Sequence, residues 1–179
     1  ITGDGGRLPF EAEKNTCAVA IQAMLDELGQ DVGMEIYLEK GLPLGSGMGS
    51  SAASAVAALV AANRLIGEPF EKKQLLPFAM AAEKVACGAG HADNVAPSLL
   101  GGFVLIRDYH PLDVIKLHVP DGLHCTLLHP HFELKTSDSR SVLRDSVSLK
   151  HSTIQSGNVA GLVAGLFQED FELIGRSLR

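Results

Sequence analysis

Residues 41–67 read GLPLGSGMGSSAASAVAALVAANRLIG: four glycines fall among the first nine positions, a serine pair follows, and alanines then dominate. Two periodicities meet in this stretch. Upstream, MEIYLEK (34–40) alternates Met34, Ile36 and Leu38 with Glu35, Tyr37 and Glu39, the period of a half-buried strand. Downstream, from Ser50 to Ile66, the alanines with Val56, Leu59, Val60 and Leu65 predict a closely packing helix that Gly67 and Pro69 end. The order is therefore strand, glycine loop, helix. Such a junction turns backbone N–H groups toward a ligand, and the helix N-terminus adds roughly half a positive charge. It suits a phosphate. The hydroxyls of Ser50 and Ser51 lie in the first helical turn, where they either cap the helix or reach a phosphate and its metal. A Walker loop is excluded because no lysine follows the last glycine, and G-x-G-x-x-G is not completed.

Around this junction, NTCAVAIQAMLDELG (15–29) predicts a helix with Asn15 or Thr16 as N-cap, Ala18, Ile21, Leu25 and Leu28 on one face, and Gly29 as the stop. A further helix is expected from about Pro77 to Gly88, then an irregular loop or short turn through GHADNVAPSLLGG (90–102). FVLIRD (103–108) reads as a buried strand, VIKLHVP and LHCTLLHP as a hairpin around Asp121-Gly122, and two helical stretches follow. A lobe boundary is expected at FVLIRD and Pro111, giving units 1–110 and 111–179.

The 179 residues are 46% hydrophobic and 20% charged, the composition of a globular protein able to bury a core. With 15 Lys and Arg against 21 Asp and Glu, the net charge of −6 argues against nucleic acid or an anionic membrane as partner. No segment reaches the roughly 18 apolar residues of a membrane span. Cys17, Cys87 and Cys125 are too widely spaced for a zinc knuckle and odd in number, which fits a reducing cytoplasm. His118, His124, Cys125, His129 and His131 form the only other metal-like cluster, but strand alternation would scatter them over two faces.

PLGSGMGSSAA (43–53) resembles the P-x-x-x-G-L-G-S-S-A phosphate motif of the GHMP kinase superfamily, with Met48 where leucine is usual. HADNVAPSLLGGF (91–103) resembles the homoserine kinase branch, and LPFEAEKNT (8–16) and HPHFELKTSDSRSVL (129–143) resemble further segments of it, in the expected order. The resemblance implies an α+β fold: a GHMP kinase N-terminal domain, a ribosomal-protein-like two-layer α/β arrangement, followed by the start of a ferredoxin-like C-terminal domain. It implies an enzyme that transfers the γ-phosphoryl group of ATP to the hydroxyl of L-homoserine in threonine biosynthesis. Another GHMP kinase, acting on mevalonate or a sugar, is the nearer rival, and a non-catalytic nucleotide-binding fragment the farther one. A start at Ile1 and an end inside FQEDFELIGRSLR read as a piece of a longer protein, lacking the family's first motif and its final glycine-rich motif. A homodimer stays open as its assembly.

Carried over residue by residue, the resemblance gives the nucleotide phosphates Pro43, Gly45, Ser46, Gly47, Gly49, Ser50, Ser51 and Ala52, and gives Mg2+ to Ser51 and Glu83. Few protein oxygens suffice there, because magnesium keeps waters and substrate phosphates in its shell. Asn15 matches a position near the adenine or ribose, and serves equally well as a helix N-cap. His91, Asp93, Thr136 and Arg140 are assigned to homoserine. Asp93 would face the ammonium and Arg140 would grip the carboxylate through two hydrogen bonds. Asn94 stands where several related kinases have a catalytic aspartate. An amide is not a useful base, so the implied chemistry is direct in-line transfer helped by Glu83, Asn94 and His91, the last orienting the hydroxyl.

Overall fold

The computed structural model describes residues 1–88, 90–128 and 142–178, backbone only at 86 and 87. The contacts separate residues 1–101 from 102–128 and 142–178, and each unit has its own core.

The first unit is built on three mutually packed helices. Helix α1 (Thr16–Leu28) starts where the Asn15 side chain accepts the Cys17 N–H and ends at Gly29, which adopts φ 61°. Helix α2 (Ser50–Leu65) follows the glycine loop. After a 3-10 turn at Lys72–Leu75, helix α3 (Leu76–Cys87) carries Pro77 in its first turn and stops at left-handed Gly88. Small residues let these helices approach closely. Ala20, Ala52, Ala55, Ala79 and Ala82 are fully buried, and Met24, Leu59, Leu75 and Leu76 fill the space between them. The segment expected as an irregular loop contains a short helix, α4 (Val95–Leu100), which buries Val95, Ala96 and Leu99 and packs against α2 and α3. Its apolar spacing is too short to signal a helix by periodicity alone.

Residues 34–40 show the expected alternation, with Met34, Ile36 and Leu38 half-buried and their neighbours exposed, but they do not form a strand. A strand exists through its ladder. Here the partner is a single parallel bridge, Thr2 to Glu39, with Thr2 N–H donating to Leu38 O at 2.8 Å and Lys40 N–H to Thr2 O at 2.9 Å.

In the second unit, β1 (Val104–Tyr109) pairs antiparallel with β2 (Leu112–Lys116), Val104 opposite Lys116 and Tyr109 opposite Leu112, with an irregularity between Ile106 and Asp108. The hairpin thus closes at His110-Pro111 rather than at Asp121-Gly122: VIK pairs backward onto FVLIRD, and residues 117–128 carry no strand. The boundary expected after His110 falls inside this hairpin, whereas the contacts divide the chain after Gly101. Helices α5 (Leu149–Gln168) and α6 (Phe171–Ser177) begin at side-chain caps from Ser148 and Asp170 and pack on each other. They cross at glycines: a Cβ at Gly165 would lie 2.9 Å from Ile174 Cγ1, and one at Gly161 2.6 Å from Ser177 Oγ.

Leu59 is fully buried on α2 whereas Leu65 on the same helix is 78% exposed. Leu59→Ala is expected to lower unfolding stability by about 2–5 kcal/mol and Leu65→Ala by less than about 0.5 kcal/mol. Denaturant titration of the two variants checks this, and equal losses would contradict the helix orientation described.

Candidate functional site

The loop from Gly41 to Gly49 turns by means of glycines. Gly45, Gly47 and Gly49 have φ of 68°, 73° and 65°, a region that side-chain-bearing residues rarely enter. Gly49 is the N-cap of α2, and no side chain caps this helix. The first-turn N–H groups are therefore left for something other than a cap. The serines are engaged elsewhere. Ser50 Oγ donates to Leu42 O at 3.3 Å, Ser46 Oγ donates to Pro43 O at 2.8 Å, and Ser51 Oγ donates to Glu83 Oε1 at 3.2 Å. The alternative that Ser50 and Ser51 only cap the helix is thus not what the geometry gives.

Glu83 reaches this point from α3. It is 4% exposed, so its carboxylate sits in the interior beside the Ser51 hydroxyl. Buried carboxylates are retained where donors or cations meet them. One hydroxyl and one carboxylate within hydrogen-bond distance, next to an open helix N-terminus, are a fitting partial shell for Mg2+, a hard cation that takes the rest of its octahedron from water and phosphate. Asn94 enters from the start of α4. A Cβ placed on Gly49 would lie 3.0 Å from Asn94 Oδ1, so the amide rests directly over the loop's last glycine. The structure thus brings together Gly49, Ser51, Glu83 and Asn94 from three separate stretches of sequence.

Of the residues assigned to homoserine, Asp93 is exposed and its Oδ1 accepts the Asn94 N–H at 3.1 Å, while His91 is half-buried on the same turn. Thr136 and Arg140 lie outside the described residues. Asn15 acts as the helix cap: Oδ1 accepts from Cys17 N–H at 3.0 Å and Nδ2 donates to Pro9 O at 2.9 Å. It also lines a cavity of about 290 Å3 with Phe10, Met34, Ile36 and Leu38. Among the described residues, no group of three or more His, Cys, Asp or Glu side chains could hold a metal, which covers His118, His124 and Cys125. No helix among them is long and apolar enough to cross a membrane.

Two residues were missed in the sequence. Lys40 sends Nζ to Ser50 O at 2.8 Å and to Ser54 Oγ at 2.6 Å, at the first turn of α2. Burial pushes its pKa below the ordinary lysine value, partly opposed by Cys17. Its signal was its isolation, since no other Lys or Arg occurs between Lys14 and Arg64. Asp4 is 6% exposed and accepts the Leu8 N–H at 2.9 Å. With Gly3, Arg7, Lys40 and residues 41–44 it lines a cavity of about 390 Å3 at the entry to the glycine loop. Its signal, the D-G-G turn, carries no ligand information by itself.

The Leu8 N–H bond, aided by backbone N–H groups nearby and opposed by burial, holds the Asp4 carboxyl below its ordinary value. A depressed folded-state pKa means that the stability Asp4 adds is present above the unfolded value and fades as pH falls through the folded one. The gap in melting temperature between the unaltered protein and Asp4→Asn should therefore be widest at neutral pH and narrow below the ordinary aspartate range. A gap that does not change with pH would refute this.

Comparison with known proteins places the geometry. Residues 15–102 match the family described as GHMP kinases N terminal domain. The chain is 53% identical over 184 residues to a protein named homoserine kinase from Chlorobium phaeobacteroides, covering 99% of this chain and 58% of that protein. A homoserine kinase from Methanococcus maripaludis is 36% identical over 169 residues, covering 94% of this chain and 56% of the relative. Among solved structures, the crystal structure of homoserine kinase from Cytophaga hutchinsonii superposes with a TM-score of 0.95 at 56% identity, covering 99% of this chain and 56% of that one. The chain thus spans 56–58% of the length of these relatives.

Proposed function

Since the chain belongs to the GHMP kinase family, we propose that it supplies the phosphate-binding half of a homoserine kinase, which moves the γ-phosphoryl group of ATP onto the side-chain hydroxyl of L-homoserine. The observation that carries this reading is the convergence of the uncapped N-terminus of α2, the Ser51–Glu83 pair at 3.2 Å and Asn94 over Gly49. The relatives carry the name, and this constellation fits the chemistry the name requires.

In this reading the triphosphate lies along residues 43–52. The amides of the first turn of α2 face the phosphate oxygens, and the helix dipole favours their negative charge. Ser51 and Glu83 would hold Mg2+, which when bound would neutralise charge developing on the phosphates. Asp93 meets the homoserine ammonium, Thr136 and Arg140 meet its carboxylate, and His91 orients the hydroxyl. A bond forms between that hydroxyl oxygen and the γ-phosphorus as the bond to the β,γ-bridging oxygen breaks, leaving ADP and O-phospho-L-homoserine. Asn94 cannot accept the hydroxyl proton, so the proton passes to a γ-phosphate oxygen or to water. Catalysis then consists of positioning and electrostatic stabilisation. The product would feed threonine biosynthesis.

ADP release is to be measured with ATP and Mg2+, without acceptor and with L-homoserine, mevalonate or galactose. Turnover that depends on homoserine supports the proposal. Preference for another alcohol would replace the substrate, and ATP binding without any acceptor-dependent turnover would leave a nucleotide-binding module. Within the active kinase, Glu83→Gln should cost about a hundredfold or more in kcat, and Asn94→Ala markedly less. A larger loss at Asn94 would contradict the mechanism.

Arg140→Lys gives a separate check on the amino-acid pocket. Lysine keeps the charge but loses the planar two-point grip, so KM for homoserine should rise about tenfold or more with KM for ATP little changed. Parallel increases in both would remove Arg140 from the pocket.

A further inference from the structure

The glycine loop is held at both ends by one side chain. Lys40 immediately precedes it and Ser50 immediately follows it, yet Lys40 Nζ donates to Ser50 O at 2.8 Å and to Ser54 Oγ at 2.6 Å. Ser54 Oγ in turn donates to Ser50 O at 3.0 Å, and its backbone oxygen accepts the Cys17 thiol at 3.4 Å. The tie is therefore seated on α1 as well as α2. At the other end, the Lys40 N–H donates to Thr2 O at 2.9 Å, which fixes the residue's own backbone. Between these anchors lie residues 41–49, with Gly45, Gly47 and Gly49 at positive φ.

Glycines free the unrestrained chain more than any other residue, so a loop built on them keeps one shape only when its ends are held. A lysine ammonium suits this place. It is a compact donor on a long stem, able to serve a carbonyl and a hydroxyl that lie close together, whereas a guanidinium is planar and wider. Ser50 is 8% and Ser54 8% exposed, so the two acceptors are shielded from competing water.

We infer that Lys40 is a positioning residue of the phosphate loop: by holding the Ser50 carbonyl and the Ser54 hydroxyl, its ammonium fixes the direction of the first-turn amides of α2 and of the Ser51 hydroxyl. This rests on the reading of residues 43–52 as a phosphate cradle. Lys40 itself need not touch the nucleotide. Its contribution is to keep the loop from exploring conformations that must be given up again on binding.

The test combines two readouts on the same protein with Lys40→Met, Lys40→Arg, Ser54→Ala and the Lys40→Met/Ser54→Ala pair. Hydrogen exchange of nucleotide-free protein compares peptides from residues 41–54 with peptides from α1, and calorimetry gives the Kd for ATP with Mg2+. Lys40→Met should speed exchange in 41–54 and weaken ATP binding, each by about tenfold, the order expected for one charge-assisted hydrogen bond. Peptides from α1 should be little changed, Lys40→Arg should restore part of the affinity, and adding Ser54→Ala to Lys40→Met should cost less than Ser54→Ala alone. Unchanged exchange in 41–54 overturns the tie. Equal acceleration in α1 shows general loosening and overturns a role specific to the loop. Faster exchange with an unaltered Kd overturns the positioning role. Failure of the unaltered protein to bind ATP overturns the cradle reading and the positioning role with it, while the exchange comparison still reports whether the tie exists.

Discussion

An α-helix begins with N–H groups that its own backbone cannot satisfy, and most chains solve the problem at once with a side chain. In this protein Asn15, Ser148 and Asp170 do so for α1, α5 and α6. At α2, as at α3 and α4, no side chain does. Gly49 is held at φ 65° and offers no side chain, and the two serines that could have served bond instead to Leu42 O and Glu83. The organisation of the first unit holds that helix end in place.

Keeping it in place falls to the helices behind it. Because Ala52 and Ala55 on α2 and Ala20 on α1 are fully buried small residues, the two helices pack closely. Close packing leaves α2 little freedom to slide or rotate, so Ser51 keeps its orientation toward Glu83. The same packing brings α3 near enough for Glu83 to reach Ser51. The alanine run is thus what allows a carboxylate 32 positions away in sequence to meet a first-turn serine.

How much of this the sequence revealed depended on the range of the interaction concerned. Helices α1, α2 and α3 were legible because their signals are local: an Asn before an apolar period, a Pro in a first turn, a Gly at each stop. The strand pattern of 34–40 was equally clear, and its side chains do alternate in burial, but strand formation depends on a partner that no local pattern specifies. The hairpin was misplaced for a related reason. Asp121-Gly122 is a good two-residue turn in isolation, yet the pairing goes to whichever neighbouring segment completes the ladder, and that is β1. At the site, Gly49, Ser51, Glu83 and Asn94 could be nominated from motif likeness, while Lys40 could not. Its role depends on a side chain crossing back over nine loop residues, and sequence spacing does not encode such a return.

Glu83, which is buried, and Lys40, which is half-buried, illustrate two ways in which a charge can serve a loop made of glycines. The ammonium is satisfied within the fold by Ser50 O and Ser54 Oγ, so its work is done before any ligand arrives. The carboxylate is 4% exposed and accepts the Ser51 hydroxyl at 3.2 Å, which places it inside the fold at the first turn of α2. The N-terminus of α2, in whose first turn Ser51 lies, carries the positive end of the helix dipole. Both charges thus act on one helical turn, Lys40 through the Ser50 carbonyl and Glu83 through the Ser51 hydroxyl, so the direction of that turn depends on α3 as well as on the residue that precedes the loop.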